Sequence, residues 1–220
     1  MTLDLRLYAL VDPAVAGGRS LPALASLIAD SATLVQLRDK HGSTRIMIEE
    51  ARDVMAVLRP RGVPLLVNDR VDVALAAGAQ GVHIGWDDME AADARRLLGS
   101  DAIIGLSIKT AEQAAAAPLD LLNYVAIGGV FATTSKDNVS SPIGLDGLRD
   151  LIGAIRARKP GFPICAIAGI TADNAGKVIA AGADGVAVIS ALSLAPDPTE
   201  AARGLRAAVD ASLAARSNAR

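Results

Sequence analysis

Aromatic residues are scarce in this chain, at 2% of 220 residues, with a single tryptophan, two tyrosines and two phenylalanines. There is one cysteine, Cys165, so no internal disulfide framework can form, and a reducing compartment is expected. Two histidines and one cysteine are too few for a soft-metal cluster. Neither charge sign dominates: 22 basic and 24 acidic residues leave a formal net charge of −2, without a long run of either. Nucleic acid and anionic membranes are therefore not expected partners. Mean hydropathy is high at +0.36, yet no apolar stretch approaches the roughly 18 residues of a membrane span. Met1-Thr2-Leu3-Asp4-Leu5-Arg6 brings an acid early and no apolar region, so no signal peptide is expected and the cytoplasm is the expected location.

What is abundant is alanine, valine, isoleucine and leucine, and 51% of the chain is hydrophobic. That suits strands buried on both faces beneath a layer of helices. One phrase occurs twice, Ala76-Ala77-Gly78-Ala79-Gln80-Gly81-Val82 and Ala180-Ala181-Gly182-Ala183-Asp184-Gly185-Val186. Each copy reads as a helix end, a tight turn and a buried strand. β-Branched runs predict strands at Leu7–Val11, Leu34–Leu37, Pro64–Val67, Gly81–Ile84, Ile103–Leu106, Tyr124–Ile127, Ile164–Ile167 and Gly185–Val188. Helical patterns lie between them, among them Thr44–Leu58, Ala91–Leu98, Leu145–Ala157 and Asn174–Ala181, with a last helix near Thr199–Leu213. The expected fold is α/β, a single (β/α)8 TIM barrel over 1–220. The tail, Ala214–Arg220 and 216–220 at least, is expected to fray. A doubly wound sheet is disfavoured because no Gly-x-Gly-x-x-Gly turn follows the first strand. Two connections exceed the short-loop rule, Ala14–Ser20 and the polar Gly128–Ile143.

A barrel carries its chemistry at strand C-termini. After strand two stands Gln36-Leu37-Arg38-Asp39-Lys40, where alternation puts Gln36, Arg38 and Lys40 on one face as an anion seat or as an interior layer with solvated charges. Strand three ends Asn68-Asp69-Arg70, and strand four leads into His83-Ile84-Gly85-Trp86-Asp87-Asp88. Neighbouring parallel strands lie about 4.8 Å apart, so Asp69 and Asp88 can meet over the mouth and hold magnesium (Mg2+) with water and phosphate oxygens. The plain alternative is that each caps the helix that follows it. His83 reads as a hydrogen-bonded core histidine and Trp86 as a packing residue. Ser107 can bond a polar substrate ring, and Thr110 suits a helix N-cap. Thr133-Thr134-Ser135-Lys136 can grip a phosphate or simply be a solvated loop. Gly169 and the Ile189-Ser190 pair stand where barrels bind phosphate through backbone N–H groups.

Taken together, these strings resemble the thiamine-phosphate synthase (thiamine-phosphate pyrophosphorylase) family. The resemblance runs from Leu7 to about Leu192 and rests on Gln36–Lys40, Asn68–Arg70, Gly81–Gly85 with Asp88, Gly105–Ser107 and Thr133–Lys136. It implies an enzyme joining 4-amino-2-methyl-5-(diphosphooxymethyl)pyrimidine to a thiazole phosphate, with diphosphate leaving first. It assigns Gln36, Leu37, Arg38, Asp39, Lys40, Asn68, Ser107 and Lys136 to the pyrimidine diphosphate. Thr133, Thr134, Ser135, Gly169, Ile189 and Ser190 fall to the thiazole phosphate, and Asp69 and Asp88 to magnesium. Ser107, Lys136 and Arg38 are expected to act in the chemical step. Trp86, Lys109, Gly129 and Ser135 depart from the residues common in the family, which have glutamine, histidine, proline and threonine there. Partners are then two small molecules, with a homodimer open. Rival readings are a thiazole tautomerase-like isomerase, a non-catalytic precursor-binding regulator, and an aldolase or epimerase. The first wants a proton-shuttling histidine in the pocket, the second the loss of Asp69, Asp88 or Lys136, and an aldolase a lysine within a strand.

Overall fold

β-Branched and leucine-rich runs with no polar alternation can be satisfied only where both faces are covered, and here eight of them close into a ring. The computed structural model describes residues 3–133 and 141–218. Strands β1 (Leu7–Val11), β2 (Leu34–Leu37), β3 (Leu65–Asn68), β4 (Gly81–Ile84), β5 (Ile103–Ile108), β6 (Tyr124–Ile127), β7 (Ile164–Ile167) and β8 (Gly185–Val188) form a closed barrel in chain order. All pairs are parallel, including the closing pair, in which Tyr8 lies opposite Ala187. Helices α1 (Leu21–Ile28), α2 (Thr44–Leu58), α3 (Val71–Ala77), α4 (Ala91–Leu98), α5 (Ala111–Ala116), α6 (Gly144–Arg158), α7 (Ala172–Ala180), α8 (Ser190–Ser193) and α9 (Pro198–Asn218) fill the connections. Among the described residues no helix is long and apolar enough to cross a membrane.

The period of two divides every strand between two cores. Leu7, Ala9 and Val11, Val35 and Leu37, Leu65 and Val67, Val82 and Ile84 face the helices. Tyr8, Leu10, Leu34, Leu66, Tyr124, Ala126, Cys165 and Ala187 fill the interior.

At the N-terminal rim the residue just before each even-numbered strand clamps the preceding odd one. Thr33 donates its N–H to Leu7 O (2.9 Å) and accepts the Leu7 N–H on Oγ1 (3.1 Å). Gln80 does the same with Leu65 through Oε1 (2.8 Å). Asn123 treats Ile104 likewise (2.9 Å), and Asp184 treats Ile164 likewise (3.0 Å). The repeated phrase thus has a physical use: its fifth residue, Gln80 or Asp184, is a clamp.

Boundaries differ from the sequence reading in a few places. β3 begins at Leu65, because Pro64 has no N–H to give to a ladder. β5 runs two residues further, to Ile108, and α7 begins at Ala172 under the capping box of Thr171 and Asn174. Within the tail expected to fray, α9 continues to Asn218. Arg216 anchors it by donating to Ile179 O (3.0 Å), Ala183 O (2.7 Å) and Asp184 (3.3 Å).

Asp184 serves Arg156, Arg216 and the Ile164 N–H at once. Asp184→Ala is expected to cost about 2–3 kcal/mol and Thr33→Ala about 1 kcal/mol, because the first leaves charged donors unpartnered and the second one backbone N–H. Urea unfolding of the two variants checks the order; equal midpoints would contradict it.

Candidate active site

The mouth at the C-terminal rim has two unlike halves. On the β1–β4 side the groups are charged and already paired. Arg38 continues β2, its N–H bonded to Val11 O (2.9 Å), and its guanidinium pairs with Asp12. Asp12 is 2% exposed and also accepts the Ala14 N–H (2.9 Å). The sequence reading missed Asp12; an acid placed directly after the apolar β1 run was the available signal. Lys40 pairs with Asp69 at 2.5 Å. Asp69 sits at φ 61, a left-handed conformation that few non-glycine residues adopt. Its N–H extends the ladder to His83 O (2.8 Å). Asp39 and Leu37 have the opposite parity and point away. Asp39 accepts the N–H groups of His41 (2.9 Å) and Gly42 (2.8 Å), while Leu37 is buried in the core beneath the helices. Their side chains are thus turned from the seat that Arg38 and Lys40 share. On α2, burial and then the charges of Asp39 and Asp12 push the Glu50 carboxyl up.

Asp88 accepts the Gly85 N–H at 2.7 Å. Burial, and after it the neighbouring Asp69 carboxylate, push Asp88 above the usual carboxylate range, against the pull of the Gly85 N–H. The Asp69 N–H on His83 O and the Asp88 carboxylate on the Gly85 N–H set the two acids at the ends of neighbouring strands. Neither is a helix cap: α3 is preceded by Arg70 and α4 by Glu90, with no side-chain cap at either. Among the described residues no group of three or more histidine, cysteine or acidic side chains gathers. A carboxylate pair is a donor set for a hard cation that takes its other oxygens from water and phosphate, and it fits magnesium.

The β5–β8 side holds a cavity of about 520 Å³, lined by Ser107, Lys109, Thr133, Gly169, Ile189 and Ser190 among others. Lys109 is the one cation in its described lining. Gly169 is at φ 63, and a Cβ there would lie 2.4 Å from Ala132 O and 2.7 Å from the Phe131 Cβ. Only glycine lets the β7 turn and the β6 loop approach this closely. Ala168 before it is also at positive φ, 97. Phe131 N–H bonds Ala168 O (3.2 Å), and Asn174 Nδ2 bonds Gly169 O (2.9 Å), so the turn is held from both sides. Ser190 opens the short helix α8. Thr134, Ser135 and Lys136 lie outside the described residues.

Between the halves stands Ser107. Its Oγ is 2.9 Å from His83 Nε2, and His83 Nδ1 is 2.8 Å from the Tyr124 hydroxyl. Gln36 points inward and donates to Tyr8. Asn68 ends β3 in register with His83. His83 is 7% exposed, the buried, hydrogen-bonded residue expected of it. Trp86 differs from its expected packing role: it is 41% exposed, and its indole N–H bonds Ser107 O at 2.8 Å. Thr110 caps α5 as expected.

Residues 7–192 match the family model described as thiamine monophosphate synthase. The chain is 52% identical over 218 residues to the thiamine-phosphate synthase of Agrobacterium fabrum, covering 97% of this chain and 98% of that one. It is 50% identical over 208 residues to that of Chloroflexus aurantiacus, covering 94% of each. Among solved structures, the thiamine phosphate pyrophosphorylase from Pyrococcus furiosus superposes with a TM-score of 0.82 at 34% identity, over 96% of this chain and 98% of that one.

The raised Asp88 pKa has a signed consequence for stability. The folded state holds that proton more tightly than the unfolded chain, so the acid subtracts stability above its folded pKa and subtracts nothing below its unfolded one. Asp88→Asn keeps an oxygen for the Gly85 N–H. In metal-free buffer it should stabilise the protein at pH 7.5 by up to about 1 kcal/mol, with the gain vanishing towards pH 3.5. Urea titrations at both pH values check this, and a gain that grows on acidification would count against facing acids.

Proposed function

The chain belongs to the thiamine monophosphate synthase family, and we propose that its mouth joins the aminopyrimidine diphosphate to the thiazole phosphate as its two halves suggest. The protein is a thiamine-phosphate synthase, a transferase. The observation that carries the proposed arrangement is the facing pair Asp69 and Asp88 beside Arg38 and Lys40, set against a separate cavity that ends in the Gly169 turn.

In this reading the diphosphate lies on the charged half. Arg38 offers it the guanidinium donors that Asp12 does not use, out of five. Asp12 fixes the direction of that fork. Lys40 has three N–H donors and gives one to Asp69, so it spans acid and phosphate. Asp69 and Asp88 would hold the magnesium ion, which when bound supplies positive charge against the diphosphate oxygens. The C–O bond to the diphosphate breaks, leaving a cation stabilised by the aminopyrimidine ring, and the thiazole nitrogen attacks that carbon. Asn68 and Ser107 position the pyrimidine. The Gly169 turn and the Ile189–Ser190 step receive the thiazole phosphate through backbone N–H groups. Lys136, with Thr134 and Ser135, stays in the proposal as a partner of the phosphates from the loop after β6. The cytoplasmic location also stays a proposal, motivated by the free, buried Cys165.

The tautomerase-like alternative fares worse on one observation. His83 has both ring nitrogens engaged, by Tyr124 and Ser107, and His41 is exposed in a loop. Neither is placed to shuttle a substrate proton in the cavity.

Incubation with both substrates and magnesium should yield thiamine phosphate and diphosphate; no product from folded protein overturns the reading. Asp88→Ala should lower kcat by roughly 10²–10³, the usual cost of losing an electrostatic stabiliser of developing charge. Wild-type turnover of that variant at limiting magnesium would remove Asp88 from the site. Gly169→Ala should weaken the thiazole phosphate far more than the pyrimidine diphosphate, because the added methyl displaces the β6 loop. Calorimetry with each substrate separates the two, and equal weakening would refute two separate seats.

A further inference from the structure

A continuous hydrogen-bond chain of five side chains crosses the barrel interior and passes through five strands. Gln36 of β2 bonds the Tyr8 hydroxyl of β1, and the Tyr124 hydroxyl of β6 lies 2.8 Å from the same oxygen. His83 of β4 follows at 2.8 Å, and Ser107 of β5 at 2.9 Å. Tyr8 is 1% exposed, Tyr124 0% and Gln36 1%. Burial pushes both tyrosines well above their usual range, so both keep their protons. The surroundings are Leu10, Leu34, Leu66, Ala126 and Ala187. An apolar filling of the same shape would avoid the desolvation of five polar groups. The two ends of the chain, Gln36 and Ser107, are both residues assigned above to the pyrimidine.

Two hydroxyls can share one bond in either order, so the order of donors decides what Ser107 can offer. With the Tyr124 proton on Tyr8, the Tyr124 oxygen accepts towards His83. The His83 proton then sits on Nδ1, and Nε2 is left as an acceptor. Ser107 donates its only proton to Nε2. What it turns to the cavity is therefore an oxygen lone pair. Its main chain is pinned as well, by the Trp86 indole on its carbonyl. We propose that Tyr8, Tyr124 and His83 are positioning residues that hold Ser107 as a hydrogen-bond acceptor, and that this acceptor selects a pyrimidine bearing an exocyclic amine over its oxo counterpart. An amine N–H meets the lone pair, whereas an oxo oxygen brings lone pair against lone pair. The proposal rests on the function argued above for the identity of the ligand, though not for the state of the histidine.

Two measurements test it. The chain has two histidines, so long-range 15N–1H spectra of the substrate-free protein resolve His83 against the exposed His41. The expected result is a neutral His83 protonated on Nδ1. In Tyr124→Phe, which removes that acceptor, the Nε2-protonated form should gain. In Tyr8→Phe, Tyr124 loses its acceptor and can turn its proton onto Nδ1, with the same result by a more distant change. An Nε2-protonated wild type overturns the proposal. The second measurement compares kcat/KM for the amino and oxo pyrimidine diphosphates. The amino preference should fall by about tenfold in either variant, the worth of one mismatched hydrogen bond. Equal losses on both substrates mean a merely structural role and also overturn it. Should Tyr124→Phe not fold, Tyr8→Phe alone carries both measurements. An enzyme that makes no thiamine phosphate refutes the function, while the spectra still decide the donor order.

Discussion

Register is the constraint from which the rest of this molecule follows. Side chains alternate with a period of two, so a slip of one residue in any strand would turn His83, Tyr124 or Gln36 out among the helices. The barrel prevents this at one rim. Thr33, Gln80, Asn123 and Asp184 each grip the start of the preceding strand by a backbone bond and a side-chain bond together. With β8 paired to β1 no strand keeps an open edge. The opposite rim can then carry groups that do little for folding. Asp69 and Ala168 hold positive φ there, each at an expected cost of order 1–3 kcal/mol. Both sit directly after a strand whose start is clamped.

The interior layer shows how one missing side chain makes room for chemistry. Gly105 lies in register between His83 and Tyr124. A Cβ on it would stand 2.1 Å from Tyr124 Cζ and 2.4 Å from its hydroxyl oxygen. The empty place above Gly105 is thus the seat of the Tyr124 ring. Two residues on, with the same inward parity, comes Ser107 at the end of the chain that Tyr124 begins to build. The Gly-x-Ser spacing is a packing requirement and a chemical one at once: the glycine admits the tyrosine, the tyrosine and His83 hold the serine.

Much of this was legible in the linear order and some of it could not be. Strands buried on both faces announce themselves, and six of the eight ran between the residues expected. Pro64 misplaced one boundary because its side chain suits a strand while its nitrogen does not. The charged residues of the mouth were legible as types at strand ends, since a polar residue after an apolar run has little else to do in a barrel. Their partners were not. Arg38 read as a free cation but is paired with Asp12, 26 positions away, and Lys40 with Asp69, 29 away. Tyr8 and Tyr124 fell within predicted strands, yet 116 positions separate two hydroxyls that share one bond. Helix caps competed with metal ligation for Asp69 and Asp88, and the structure removes the caps, since neither α3 nor α4 has a side-chain cap. The last turns of α9 looked polar and loose because the carbonyls and carboxylate that Arg216 binds belong to the α7–β8 region.

The two halves of the mouth differ in how they meet an anion. On the charged half the cations are held by Asp12 and Asp69 before any ligand arrives, so a diphosphate seated there as proposed would meet donors already oriented. Arg38 keeps its direction from Asp12, which limits the ordering entropy lost on binding. The acids beside it repel each other, and in the proposed arrangement a cation between them would relieve that repulsion and favour a diphosphate on this half. The other half offers backbone N–H groups, hydroxyls and Lys109, which suits a single phosphate better than a diphosphate with its metal. Ser107 stands between them, lining the cavity and ending the interior chain. Two substrates seated by their phosphates on opposite sides would bring their rings together at that serine. There the proposal asks of Ser107 only a fixed acceptor. Such a site suits a reaction whose driving event is the departure of an already stabilised anion.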